Sequence, residues 1–280
     1  MKKNETIKRT GAIGVFDSGY GGLTVLSEIK SLMPQYDFIY LGDNARTPYG
    51  NRSYERVYEF TLEAIKWFFK HGCRLVVIAC NTASAKALRS IQQIDLPKID
   101  LNNRVLGVIR PTAENVSKLS QSGHIGIMGT EGTIQSKSYD IEINKLHPHM
   151  FVTGEACPMW VPLVENREYN KPGADYFIKK HIDNILSKDP LIDTIILGCT
   201  HYPLLIEKIN NFLPKEVRAI SQGKLVAESL KDYLERHPEM DILCTKNGTV
   251  AYFTTDSPSK FIQQASIFLD EEIVAQKADL

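Results

Sequence analysis

Two short blocks each place a cysteine among small polar residues at the end of a β-branched run. They are Val76-Val77-Ile78-Ala79-Cys80-Asn81-Thr82 and Ile195-Ile196-Leu197-Gly198-Cys199-Thr200-His201. A free thiol titrates near about 8.5, so a neighbouring base or helix terminus brings it within reach of proton transfer at neutral pH. The hydroxyl and amide donors beside each cysteine are what a carboxylate ligand needs. Other chemistry is open to the same residues. Each cysteine can be a small buried hydrophobe. Cys199 with His201 can serve as nucleophile and base of a thiol hydrolase, which leaves Cys80 unused. Cys80, Cys157, Cys199 and His201 can be imagined around zinc, but they lack the short spacings of such sites.

The loop Asp17-Ser18-Gly19-Tyr20-Gly21-Gly22 follows a strand and opens a helix, where glycines let backbone amides approach an anion. Thr24 breaks G-x-G-x-x-G and no Gly-Lys-Ser/Thr follows, so a carboxylate fits at least as well as a phosphate or dinucleotide. Asp17 in that loop suits an ammonium group or a thiol in need of a base; a helix cap is the plainer alternative. His201, two residues after Cys199, can tune that thiol or donate to a substrate. Glu165 ends the apolar run Pro158-Met159-Trp160-Val161-Pro162-Leu163-Val164, and it reads as an acid facing the site or as a solvated side chain. Pro48-Tyr49-Gly50 lies at a strand-end rim, where backbone contacts to a ligand and a bare turn fit equally well. Cys73 and Cys244 have no polar neighbourhood and read as structural.

The elements that position these residues follow from periodicity. Short β-branched runs alternate with amphipathic stretches, the pattern of parallel α/β structure. The pattern predicts strands over 12–16, 37–41, 75–79, 105–109, 125–128, 151–154, 194–198, 217–220 and 250–254. Helices are predicted over 23–33, 53–70, 111–120, 173–186, 225–235 and 258–269, with Ser53 as an N-cap. An internal echo runs through the chain. Ile13-Gly14-Val15-Phe16-Asp17 is matched by Ile125-Gly126-Ile127-Met128-Gly129, and the Cys80 block by the Cys199 block. Two similar α/β lobes, each a mainly parallel sheet flanked by helices and related by a pseudo-twofold axis, account for it. Ligands of open parallel sheets bind outside the carboxyl ends of strands, so facing lobes put both thiols on one cleft.

Bulk properties narrow the field. Thirty-three basic residues balance thirty-three acidic ones among 280, which removes the long-range field of a nucleic-acid binder. With 43% hydrophobic and 24% charged residues the composition is globular. The longest apolar run, Leu75 to Cys80, falls far short of the roughly 18 residues of a membrane span. The basic opening MKKNETIKRT lacks a following apolar core, so a cytoplasmic rather than exported protein is expected. Five cysteines without a C-x-x-C pair suggest reduced thiols.

Together the blocks DSGYGGLTVL, GDNARTPYGNRS, ACNTASA, CPMWVPLVE and GCTHYPLL resemble, in order, those of the glutamate racemase group of the aspartate/glutamate racemase family. The resemblance covers roughly residues 12 to 206. It implies interconversion of L- and D-glutamate without cofactor or metal, supplying D-glutamate for peptidoglycan. The implied lobes are 1–103 plus 213–280, carrying Asp17 and Cys80, and 104–212, carrying Glu165 and Cys199. By the family pattern Cys80 takes the proton from D-glutamate and Cys199 from L-glutamate. Asp17 assists Cys80, while Glu165 and His201 assist Cys199. The substrate is held by Asp17, Ser18, Tyr49, Gly50, Asn81, Thr82, Thr200 and His201. A homodimer is a further family trait. Racemisation needs a base on one face of the α-carbon and an acid on the other, which gives the paired thiols a reason. Departures are small: Asn44 for a common Thr, Trp160 for a common Phe, and an atypical late turn, Ser221-Gln222-Gly223. A related substrate such as aspartate, and a non-catalytic amino-acid sensor on the same fold, are the alternative functions.

Overall fold

Parallel strands buried on both faces must be apolar along their length, and the runs read from the sequence have that character. The structure, a computed structural model, describes residues 10–280; the basic opening weighed above lies almost wholly outside them. Within these residues the strands are β1 Ile13–Asp17, β2 Phe38–Gly42, β3 Leu75–Ile78, β4 Arg104–Gly107, β5 His124–Gly129, β6 Phe151–Ala156, β7 Thr194–Gly198, β8 Arg218–Ile220, β9 Val250–Thr254 and β10 Ala275–Lys277. They form two wholly parallel sheets, ordered β10-β9-β2-β1-β3-β4 and β6-β5-β7-β8.

The order of the first four strands in each sheet is the same. β1 corresponds to β5 and β3 to β7, so the echo heard in the sequence is a repeated topology. Apolar clusters cover both faces of each sheet. Val15, Leu75 and Val77 face one cluster of the first sheet and Phe16, Val76 and Ile78 the other; Ile195 and Leu197, and Ile125 and Ile196, do the same in the second. On one face of the first sheet, helix Leu23–Leu32 packs on helix Gly223–Arg236. A Cβ at Gly223 would meet Glu28 Cγ at 2.7 Å, which is why that helix opens on glycine.

The lobe borders need correction. Arg104–Gly107 pairs with β3 in the first sheet, from Leu75↔Arg104 to Ile78↔Gly107, and Arg218–Ile220 pairs with β7 in the second. Cuts at 103/104 and 212/213 would each strip a strand from its sheet. We place the crossings after Gly107 and after Ile220; nothing in these short apolar runs encodes which sheet they join.

The other elements lie near their predicted positions. Tyr54–Lys70 begins after Ser53, whose Oγ accepts from Arg56 N at 3.3 Å. The helix expected from Pro111 starts at Ile109, with Pro111 in the first turn, where its missing N–H costs nothing. The closing helix stops at Ala265 rather than Leu269. β10 escaped prediction because Ala-Gln-Lys carries no apolar pattern, and the short helices Asn81–Lys86, Ser138–Leu146 and Trp160–Glu165 hold too few turns to show a period.

Candidate active site

Cys80 follows the end of β3 and caps the helix Asn81–Lys86, its Sγ accepting from Ala83 N at 3.4 Å. Ser18 Oγ, in the loop after β1, lies 3.4 Å from the same sulfur. Behind them Asp17 is fully buried. Its Oδ1 accepts from Gly19 N at 2.9 Å and its Oδ2 from Thr200 Oγ1 at 3.2 Å, so a first-lobe carboxyl is tied to the second-lobe loop. A Cβ at Gly22 would stand 2.5 Å from Asp17 Cβ, so glycine is required for this tight turn. Burial raises the Asp17 carboxyl above its ordinary range, against the pull of His201 and two backbone N–H groups. Burial, with the Asp17 charge adding to it, pushes the Cys80 thiol up to about 12; Ser18 and Ala83 N act in the opposite sense.

Cys199 follows β7, the counterpart of β3, but its company differs. His201 Nδ1 lies 3.9 Å from Cys199 Sγ, and His201 Nε2 lies 3.0 Å from Glu165 Oε1 at the end of helix Trp160–Glu165. Burial disfavours the charged imidazole, but the hydrogen bonds and charges of Cys199 and Glu165 outweigh it and raise His201 to about 10. At neutral pH the ring is therefore an imidazolium, with both N–H groups committed. Gly21 lets the lobes approach here, since a Cβ there would meet Thr200 Oγ1 at 2.3 Å and His201 Nδ1 at 2.5 Å.

The two thiols open on one cavity of about 240 Å³ between the lobes. Its walls come from the carboxyl ends of β1, β2 and β3 on one side and β5, β6 and β7 on the other. Ten of the eleven expected residues line it: Ser18, Tyr49, Gly50, Cys80, Asn81, Thr82, Glu165, Cys199, Thr200 and His201. Asp17, expected among them, does not; the Gly19 turn folds over it and it is buried behind the wall. The Tyr49 ring is buried and its hydroxyl donates to Asp43 Oδ2, so this side chain serves the wall. Asn81 Oδ1 accepts from Tyr139 Oη at 2.6 Å, leaving its N–H groups as donors.

The sequence reading missed part of the wall. Thr130 Oγ1 lies 2.8 Å from Thr82 Oγ1 and 3.0 Å from Thr133 Oγ1, making a hydroxyl cluster across the lobes. Gly132 N donates to Gly50 O at 2.7 Å beside it. The signal was available, because Gly129-Thr130-Glu131-Gly132-Thr133 is the counterpart of the Asp17 loop. Glu131, Thr47, Asn51, Cys157 and Val161 also line the cavity. Cys157 is fully buried and points its Sγ at Glu155 O, 3.7 Å away.

Residues 22–230 match the family model for Asp/Glu/hydantoin racemase. The chain belongs to the Asp/Glu/hydantoin racemase family. Among relatives, the glutamate racemase of Geobacter metallireducens is 39% identical over 258 residues, 92% of each chain. A glutamate racemase isoform of Bacillus anthracis superposes with a TM-score of 0.88 at 37% identity, covering 97% of this chain and 98% of that one. The glutamate racemase of Francisella tularensis, solved with D-glutamate, gives a TM-score of 0.84 at 30% identity, covering 98% of both chains. The two-lobed architecture is thus that of the family. Among the described residues no helix is long and apolar enough to cross a membrane.

Proposed function

We propose that this family member is a glutamate racemase acting by proton transfer between two thiols, with no cofactor. The observation that carries the reading is one cavity closed by Cys80 from one lobe and Cys199 from the other, in a chain whose relatives are glutamate racemases. From L-glutamate, Cys199 as thiolate takes the α-proton. The C–H bond breaks, an S–H bond forms, and the electron pair delocalises into the α-carboxylate. The Cys80 S–H then gives its proton to the opposite face and is left as the thiolate, yielding D-glutamate. The reverse turnover restores the starting form.

An α-proton is very weakly acidic, so charge developing on the carboxylate has to be met by fixed donors in a site closed to water. The hydroxyls of Ser18, Thr82 and Thr200 and the Asn81 amide line the cavity and suit that task, with Gly50 offering its backbone N–H. His201, charged at neutral pH, supplies positive charge beside Cys199, while Glu165 orients it. Asp17 acts on Cys80 from behind the wall rather than on substrate. D-Glutamate made in this way is a component of peptidoglycan, which is the family role implied above.

The test is incubation with L-glutamate in deuterium oxide, following optical rotation and the α-proton NMR signal together. Loss of both supports the reading. Persistence of both in a folded sample overturns it, and the same assay with aspartate then tests the related substrate.

A further inference from the structure

The Asn81 amide is held by a chain of hydrogen bonds that begins where the polypeptide crosses between the lobes. Val108 lies just after β4 at the first crossing, and Gln222 just after β8 at the return. Val108 O accepts from Thr112 Oγ1 at 3.0 Å; Gln222 Nε2 also lies 3.3 Å from it, but the two protons of that nitrogen go to two nearer hydroxyl oxygens. A backbone carbonyl can only accept, so it fixes the Thr112 hydroxyl as a donor. With its proton spent on Val108, the Thr112 hydroxyl accepts from Gln222 Nε2 at 2.6 Å. The same nitrogen lies 2.6 Å from Tyr139 Oη, which therefore accepts there and has one proton left. Asn81 Oδ1 takes that proton at 2.6 Å. The polarity of the whole chain is set by a main-chain oxygen that cannot turn round.

We propose that Gln222 is a positioning residue for the substrate, acting through Tyr139 to hold the Asn81 carboxamide with its N–H₂ group available to a carboxylate in the cavity. The inference rests on the glutamate reading for the identity of that carboxylate. Gln222 and Tyr139 are buried and neither lines the cavity, so both act at a distance from the substrate.

The experiment compares Gln222→Met, Tyr139→Phe and their combination. Gln222→Met removes the donor at similar length, and Tyr139→Phe removes the relay hydroxyl. Each is expected to raise KM for both enantiomers about tenfold with kcat little changed, the size of one hydrogen bond's net contribution. The double variant is expected to be no worse than either single one, because both act on one path. Gln222→Glu, which keeps the shape but accepts rather than donates, is the second variant should Gln222→Met fail to fold; it gives the same rise in KM. Unchanged KM, or losses that multiply in the double variant, overturns the proposal. A readout independent of turnover is the ¹⁵N signal of the Asn81 side-chain amide. If the protein leaves glutamate untouched, the function reading falls alone, and the relay then stands on whether Gln222→Met shifts that signal; an unshifted signal overturns it.

Discussion

Cys80 and Cys199 end equivalent strands of two sheets with the same order, yet their surroundings are electrostatic opposites. Cys80 is backed by a buried carboxyl, Asp17, and capped by a backbone N–H and a hydroxyl. Cys199 is backed by an imidazole that a carboxylate keeps charged. The first arrangement holds a proton on its sulfur, with the thiol pushed up to about 12. The second places a positive charge beside its sulfur. Duplicated topology thus supplies two geometrically matched groups, and differing loops give them opposite electrostatic surroundings. That is what one acid and one base require, and a symmetric pair would supply it less well.

The largest effect expected is loss of either thiol. Cys80→Ser and Cys199→Ser should each cut racemisation by roughly 10³-fold or more, within and above the usual range for a general acid or base. Circular dichroism at a wavelength reporting glutamate checks this, and substantial activity in either variant would break the pairing. The equilibrium constant between enantiomers is unity. The fall in kcat/KM must therefore be the same from L- and from D-glutamate in every variant, and the asymmetry between the lobes can show only in kcat and KM separately.

Next in size is His201→Asn, expected to cost about 10²-fold in kcat/KM, as for loss of one electrostatic partner. The wild-type profile should hold up to about pH 10 and fall above it, as His201 loses its proton there. Glu165 raises His201, so Glu165→Gln should draw that alkaline limb to lower pH. A limb that stays in place would remove Glu165 from the pair.

A smaller effect sharpens the other side. The Asp17 charge adds to the rise of the Cys80 thiol, so Asp17→Asn should speed alkylation of Cys80 by iodoacetamide at fixed pH by about three- to tenfold, with the sign set by removal of a nearby like charge. Peptide mass spectrometry resolves the site, and slower labelling would contradict the electrostatic picture. The smallest effect belongs to the third cysteine on the cavity. The Cys157 thiol bonds only to Glu155 O among the hydrogen bonds described, so Cys157→Ser should keep activity within about threefold, as expected for a conservative change that leaves the donor.

Much of the site was legible in the residues. Both thiols, the donors beside them and the His201 loop follow strand runs whose apolar pattern leaves little choice of element, and the repeated Cys80 and Cys199 blocks signalled the two lobes. Less legible was anything that depends on which strand a segment pairs with. Arg104–Gly107 and Arg218–Ile220 look alike in sequence and join different sheets. Thr130 was overlooked because its importance comes from lying across the cleft from Thr82, 48 residues away in the chain.

The sequence by itself determined the alternation of strands and helices, the pairing of two cysteines at strand ends and the neutrality of the whole, because these are local properties of residue type and spacing. Only the tertiary structure decided that Asp17 stands behind the wall, that His201 is kept charged by Cys199 and Glu165 together, and that Gln222 reaches Asn81 through Tyr139. Protonation and hydrogen-bond polarity depend on burial and on partners distant in the chain, and those are fixed only when the two sheets close on each other.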